Sequence, residues 1–65
     1  MQIEITFQKP TYVGFLVSEL RYELETFTHQ CDPSKSEYEN LNDAYDIAIS
    51  KGHQPNKNIR WKFIE

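Results

Sequence analysis

Carboxylates are the most frequent side chains in this sequence that could carry out chemistry. Two of them, Glu19 and Glu23, are four residues apart and would share one face of a helix. A catalytic acid–base pair needs one carboxyl group with a raised pKa, and burial in a pocket is what raises it. A short chain has little interior for such a pocket, since a domain of about 60 residues buries only ~60% of the surface that its unfolded form exposes. We therefore predict a solvated acidic surface and no enzymatic activity.

Nucleophiles and metal ligands are few. The single cysteine, Cys31, cannot form a disulfide within the chain, and no motif links it or His29 to an acidic residue that would orient a catalytic pair. The second histidine, His53, is distant from both in sequence, whereas a zinc site needs clustered ligands. A phosphate-binding loop needs more glycines than Gly14 and Gly52. We expect neither a metal nor a cofactor.

The C-terminal stretch NKNIRWKFIE interleaves bases with aromatic residues. Basic grooves with aromatic platforms bind single-stranded nucleic acids, so the bases Lys51, Lys57, Arg60 and Lys62 are candidates for that role, with Trp61 as the stacking platform. The alternation has a period of two, however, which on a strand places Trp61 on the face opposite to Arg60 and Lys62. We interpret the stretch as the last β-strand and keep nucleic-acid binding as an alternative function. Its apolar residues are assigned to the core: Ile59, Trp61 and Phe63.

A mixed acidic and aromatic surface is the best candidate for function. If residues 11–31 form a helix, Phe15 and Tyr22 point away from its apolar side and lie beside acidic residues. Aromatic residues contribute much of the binding energy in protein interfaces. In the alternative interpretation Phe15 lies on a strand, on the same face as Val13 and Val17. The predicted interaction residues are Phe15, Glu19, Tyr22, Glu23 and Glu25, with Arg60 and Lys62 as a basic outer face of the last strand.

Charge is unevenly distributed along the chain. Residues 1–50 carry three bases against nine acids, a net charge of −6, and residues 51–65 carry four bases against one acid, a net charge of +3. No basic-then-apolar stretch follows Met1 and no apolar run approaches the ~20 residues of a membrane span, so we expect neither a leader nor a transmembrane segment. A free cysteine suits a reducing compartment. We expect a complete small gene product that is cytoplasmic and does not associate with membranes.

The sequence of the first half of the chain predicts one strand clearly, followed by a segment that fits either a helix or a strand. QIEITFQ alternates apolar and polar residues, which is typical of a half-buried strand, and Pro10 is expected to end it. Apolar residues between Val13 and Cys31 fall along one side of a helix. The strand-forming run YVGFLV favours instead a hairpin partner over residues 12–17, followed by a helix from Ser18. We predict a helix over most of residues 11–31 and keep the hairpin as the alternative.

The second half predicts a more secure helix. It begins near Asp32 and Pro33, or a little later at a capping box of Ser34 with Glu37 or of Ser36 with Glu39, and it ends at Gly52. Its apolar residues share one face: Tyr38, Leu41, Ala44, Tyr45, Ala48 and Ile49.

The predicted fold is a single compact α+β domain over residues 1–65, arranged β-α-α-β. Two helices cover one face of a two-stranded sheet, with a three-stranded sheet as the alternative. If the first and last strands pair, Glu4 stands opposite Arg60 or Lys62 on the outer face.

These features favour a non-enzymatic protein-interaction module. We predict a small regulator or inhibitor that binds another macromolecule, most simply a protein, of the kind that phages and mobile elements encode. In one version the acidic helices imitate the phosphates of nucleic acid and occupy a basic site on the partner. A further alternative is a structural subunit of a homo-oligomer, in which two copies form a homodimer by joining the open edges of their sheets.

Overall fold

The computed structural model describes residues 1–65 as a three-stranded antiparallel sheet with one helix. Its elements are β1 (Gln2–Val13), β2 (Glu19–Gln30), α1 (Glu37–Ser50) and β3 (Ile59–Ile64). The strand order is β2-β1-β3, so β1 is central and pairs antiparallel with both neighbours. The α+β class and the alternative of a three-stranded sheet are confirmed. The β-α-α-β arrangement with two helices is wrong, because only α1 is helical.

The segment predicted as the first helix is strand β2. Leu20 and Leu24 are four residues apart, so they fit one side of a helix and equally one face of a strand. Phe27 distinguishes the two, because it lies on the opposite face of the sheet from Leu24 and packs against the core. The alternative with a helix from Ser18 is also wrong, since the chain turns at residues 14–18 and then pairs with β1 along its whole length.

Pro10 does not end β1, although proline cannot donate a backbone hydrogen bond. The Met1 carbonyl accepts a hydrogen bond from the Cys31 N–H at 3.0 Å, which makes the odd-numbered residues of β1 those that bond to β2. Pro10 therefore faces the other side of β1. Strand β3 pairs only with Gln2 to Phe7 and does not reach Pro10. The missing donor thus lies on an open edge, where the sheet tolerates it.

The turn between β1 and β2 depends on Gly14. Its φ is +122°, a conformation that residues with a side chain rarely adopt. A Cβ at this position would also overlap the carbonyl oxygen of Val17. Glycine is therefore required for the chain to reverse here.

The core lies at one end of the sheet, between β1 and α1. Ala44 and Ala48 are fully buried, and their small side chains let the helix approach the sheet closely. Trp61 was assigned to the core, and that prediction is wrong: it is 51% exposed, because β3 is an edge strand that α1 covers incompletely. The buried core consists of Ile3, Ile5, Phe7, Cys31, Ala44 and Ala48, with Phe27, Leu41, Ile59 and Phe63 packed against it.

Both ends of α1 have the predicted caps. Ser36 accepts a hydrogen bond from the Glu39 N–H at 3.2 Å, and the Glu39 carboxylate accepts one from the Ser36 N–H at 3.5 Å, which confirms the capping box. Gly52 has a φ of +116°, and its N–H donates to Ile49. The His53 N–H donates to the Ala48 carbonyl at 2.9 Å, so the helix ends in a Schellman motif. The helix begins at Glu37, however, and not at Asp32.

Asn40 fixes the loop that joins β2 to α1. Its side chain is buried, accepts a hydrogen bond from the Asp32 N–H at 2.8 Å and donates to the carbonyls of Asp32 and Ser36 at 3.1 and 3.0 Å. Around it, hydrogen bonds from the Ser34 hydroxyl and N–H lower the pKa of Asp32. A hydrogen bond to Asp43 raises the pKa of Lys35.

We expect Asn40→Asp to destabilise the fold by at least about 2 kcal/mol, because a buried carboxylate would face carbonyl oxygens that now receive N–H donors. The matched control is Asn42→Asp, the same chemical change on the exposed side of α1, where we expect a change within about 0.5 kcal/mol. Urea denaturation followed by circular dichroism measures both. Equal effects of the two substitutions would contradict the role given to Asn40.

His53 is buried without a hydrogen-bond partner for either ring nitrogen. Its ring packs edge-to-face between Phe7 and Tyr45, with centroid separations of 5.9 and 5.5 Å. It therefore acts as an apolar filler after the helix end, at the cost of an unsatisfied ring nitrogen.

We expect His53→Leu, a substitution of similar volume, to leave the free energy of unfolding unchanged or to raise it by up to about 1 kcal/mol, because it removes the unsatisfied nitrogens. The midpoint and slope of urea unfolding provide the measurement. A loss larger than this range would mean that the imidazole makes a polar contact in the folded protein.

Candidate functional site

The β1–β2 hairpin extends well beyond the core. The other elements reach only its first half, because β3 pairs with Gln2 to Phe7 and α1 packs against that same half. The remainder, residues 8–24, is a two-stranded ribbon with a turn at its end, which we call the arm. It accounts for the elongated shape of the molecule, which measures 51 × 19 × 15 Å.

The tip of the arm is apolar and fully accessible. Phe15, Leu16 and Val17 are 98%, 91% and 80% exposed. They are consecutive residues of the turn, so their side chains spread in different directions instead of lying on one face. Isolated exposed apolar residues are common, but three adjacent ones at a protruding end are typical of a binding site.

The two halves of the hairpin carry their apolar residues on opposite faces. Near the core, the face toward α1, here the inner face, is apolar and carries Ile3, Ile5 and Phe7. Along the arm the apolar residues lie instead on the outer face, where Tyr12 pairs with Leu20 and Pro10 with Tyr22. The apolar outer face of the arm consists of Pro10, Tyr12, Leu20, Tyr22 and Leu24. The polarity of the ribbon therefore inverts where the arm begins.

All four charged residues of the arm lie on its inner face. Glu19 forms an ion pair with Arg21 at 3.2 Å beside the tip, and Lys9 stands opposite Glu23 across the strands. Side chains at directly opposed strand positions share one face, so the outer face carries no charged position. Its Tyr22 ring is approached by Lys57 from the loop after α1, with Nζ 4.4 Å from the ring centroid.

The structure brings most of the predicted interaction residues to the arm. Phe15 is at the tip, Glu19 and Glu23 are on the inner face, and Tyr22 is on the outer face. Glu25 lies where the arm meets the core, opposite Phe7, with one carboxylate oxygen buried and unpartnered. The helical arrangement from which these residues were chosen is wrong, and so is the strand alternative, because Phe15 lies in the turn and not beside Val13 on a strand.

Arg60 and Lys62 lie at the other end of the molecule, on the outer face of β3. Lys62 is opposite Glu4 and forms an ion pair with it at 3.5 Å, which confirms the expected cross-strand pair. With Thr6 and Trp61 these residues line a shallow groove of about 280 Å³. Trp61 also borders an apolar cleft of about 320 Å³ between α1 and β3, packing edge-to-face on Phe63 at 6.0 Å.

Six residues of the candidate surface were not identified from the sequence: Pro10, Tyr12, Leu16, Val17, Leu20 and Leu24. On the helix predicted over residues 11–31, Leu16, Val17, Leu20 and Leu24 fall on the apolar side, and that side is expected to face the interior. The signal that could have exposed them is the change of phase within residues 20–27, where Leu20, Tyr22 and Leu24 occupy even positions and Phe27 an odd one.

The remaining chemistry of the chain is sparse. No group of three or more histidine, cysteine, aspartate or glutamate side chains is arranged to hold a metal ion. The helix is neither long nor apolar enough to cross a bilayer. The arm is therefore the feature with the clearest capacity to bind another molecule.

The groove beside Trp61 gives a direct test of the nucleic-acid alternative, because this is the only tryptophan in the chain. We expect single-stranded oligonucleotides at low salt to leave its fluorescence unchanged, since Glu4 engages Lys62 and the net charge of −3 repels a polyanion. Acrylamide should quench the fluorescence of the half-exposed indole, and this control shows that the signal responds to a molecule that reaches the ring. Quenching by oligonucleotide that disappears as salt is raised would contradict this expectation and favour a stacking role.

Comparisons with protein-family models, curated proteins and solved structures each return no match. The candidate site is accordingly defined by geometry: a protruding ribbon with an apolar tip, a mostly apolar outer face that Lys57 contacts at Tyr22, and a charged inner face.

Proposed function

We propose that this chain is a non-enzymatic interaction module, a small regulator or inhibitor, that inserts the tip of its arm into an apolar pocket of a partner protein. The observation that carries the proposal is the exposure of Phe15, Leu16 and Val17 at the end of a ribbon that neither β3 nor α1 covers. A single copy obtains no folding stability from these side chains.

The shape of the tip favours a concave partner. Side chains that spread from a turn cannot all lie flat against a surface, whereas a pocket can enclose them together. A buried aromatic anchor surrounded by polar groups is a common arrangement at energetically important positions of interfaces. The ion pair of Glu19 and Arg21, beside the tip, supplies polar groups for such a rim.

The structure weakens the hypothesis that acidic helices of this chain imitate the phosphates of nucleic acid, because one of the two predicted helices is a strand. It relied on Glu19 and Glu23 along a helix, and both lie on a strand within reach of basic residues. Helix α1 keeps the remaining row of acids, of which Asp43 is paired with Lys35 at 2.8 Å. Insertion of the apolar tip is therefore the preferred mode of binding.

Photo-crosslinking tests the proposal in cells of the native host. A benzophenone amino acid replaces Phe15 at the tip or, as a matched control, Tyr38, an aromatic residue of α1 that is 73% exposed. We expect one discrete adduct with a different protein from position 15 and none from position 38. Adducts of equal pattern from both positions, or adducts from position 15 only to a second copy of the chain, would contradict the proposal.

The partner identified in this way is then purified and titrated. We expect Phe15→Ser to weaken its binding by about 2 kcal/mol or more, roughly thirtyfold, as for an anchor residue of an interface. Tyr38→Ser should leave the affinity within about twofold, a difference of some 0.4 kcal/mol. Equal affinities of the two variants would show that the adduct arises from proximity and not from an anchoring contact.

A further inference from the structure

The outer face of the arm is a second exposed apolar surface, separate from the tip. Tyr12 and Leu24 are 72% and 69% exposed, and Leu20 and Tyr22 lie between them on the same side of the ribbon. These side chains alternate along two paired strands, so they form one flat surface. A pocket that encloses a convex tip would leave this flat surface uncovered.

The occupant of this face must be apolar, flat and always available. A two-stranded ribbon is marginally stable in water and needs packing on one face or a third strand. Within one copy the arm has neither, because β3 ends at the level of Phe7 and α1 covers only the core half. A partner met occasionally would leave the arm without support most of the time, whereas a second copy of the chain is present wherever the first is.

The outer face is complementary to itself. No β1 or β2 position of the arm's outer face is charged, and the cation that contacts this face, Lys57, lies over the Tyr22 ring. Two copies can therefore be opposed without placing like strand charges together, with each Lys57 held over the Tyr22 of its own copy. Two sheets pack face to face at a separation of about 10 Å, with their apolar side chains interdigitated. The patch is small, since its two tyrosines are only 72% and 38% exposed, whereas a standard interface takes roughly 800 Å² from each partner. We therefore expect a weak association that appears as the concentration rises.

The charge of the arm favours a second copy over a lipid surface. Helices and strands that lie on membranes carry an excess of Lys and Arg beside their apolar residues. The arm has two bases, Lys9 and Arg21, balanced by two acids, Glu19 and Glu23. All four point to the inner face, which remains in water when the outer face is covered.

We infer that two copies of this chain associate through the outer faces of their arms into a symmetric dimer. Each copy contributes Tyr12, Leu20, Tyr22 and Leu24, and the same residues meet across the two-fold axis, as closed symmetry requires. The charged inner faces and the two tips remain accessible. This association explains why the apolar face of the hairpin inverts where the arm begins.

Sedimentation velocity on the purified chain tests the dimer without any partner. We expect the mass to rise with concentration from 7.8 kDa to twice that value and no further. Leu24→Glu should weaken self-association at least about tenfold, because it places a charge in the apolar interface. Gln30→Glu is the matched control: it adds the same charge at an exposed outer-face position of the same strand, outside the patch and opposite the uncharged Gln2, and this variant should dimerise as the wild type does.

Several results would overturn the inference. One is a wild-type chain that stays monomeric at the highest soluble concentration, including one that binds phosphatidylcholine vesicles as a monomer. Another is a dimer that survives Leu24→Glu, or an open series of larger assemblies. Tyr12→Glu provides a second variant, and the amide spectrum of each variant shows whether the core remains folded. Because these experiments contain only this chain, their failure leaves the crosslinking from Phe15 unaffected.

Discussion

The long antiparallel ladder between β1 and β2 is the interaction on which the rest of the structure depends. Twelve consecutive pairs, from Gln2 with Gln30 to Val13 with Glu19, fix which residues face α1. The hydroxyls of Thr6 and Thr26 meet at 2.9 Å across this ladder, on the outer face. A slip of one residue would turn Phe27 out of the core and Leu24 toward it, since strand side chains alternate. The register therefore sets both the core and the arm.

The core that this ladder supports is small. Helix α1 contributes two alanines and the hydrogen-bonded Asn40 as its fully buried residues, while larger apolar side chains such as Tyr12, Leu24 and Trp61 remain exposed. A domain of this size has a thin margin of stability, and folding of one copy would favour placing those side chains inside. Large apolar side chains on the surface lower the solubility of a protein. A role in binding another molecule explains why they are exposed here.

The sequence predicts those elements whose signals are local. The alternation of QIEITFQ, the capping box at Ser36 and the helix end at Gly52 all agree with the structure. The segment from Thr11 to Cys31 was misassigned because a spacing of four residues satisfies both a helix and a strand. Pairing with β1 decides between them, and a pairing is not visible in the segment itself.

Two other predictions are wrong for the same reason, because they depend on contacts between residues that are distant in sequence. Whether Pro10 interrupts a strand depends on how far β3 extends, and whether Trp61 is buried depends on how much of an edge strand α1 can cover. The candidate surface was predicted in part, since Phe15 and Tyr22 are exposed as expected, although a helix was the wrong reason. The outer face of the arm was missed because its residues resemble the core stripe of a helix.

The inversion of polarity along the hairpin gives one ribbon two different tasks. Its first half offers an apolar face to α1 within the same chain, and its second half offers one to a separate body on the opposite side. The tip, being convex, requires a third kind of contact. These surfaces are compatible, because association through the flat outer faces leaves both tips free. A dimer would then carry two tips on one particle, and a partner with two suitably spaced pockets would be held more tightly than either contact allows alone. Weak insertion of a small tip such as that of Phe15 can in this way support an effective regulator without a large core.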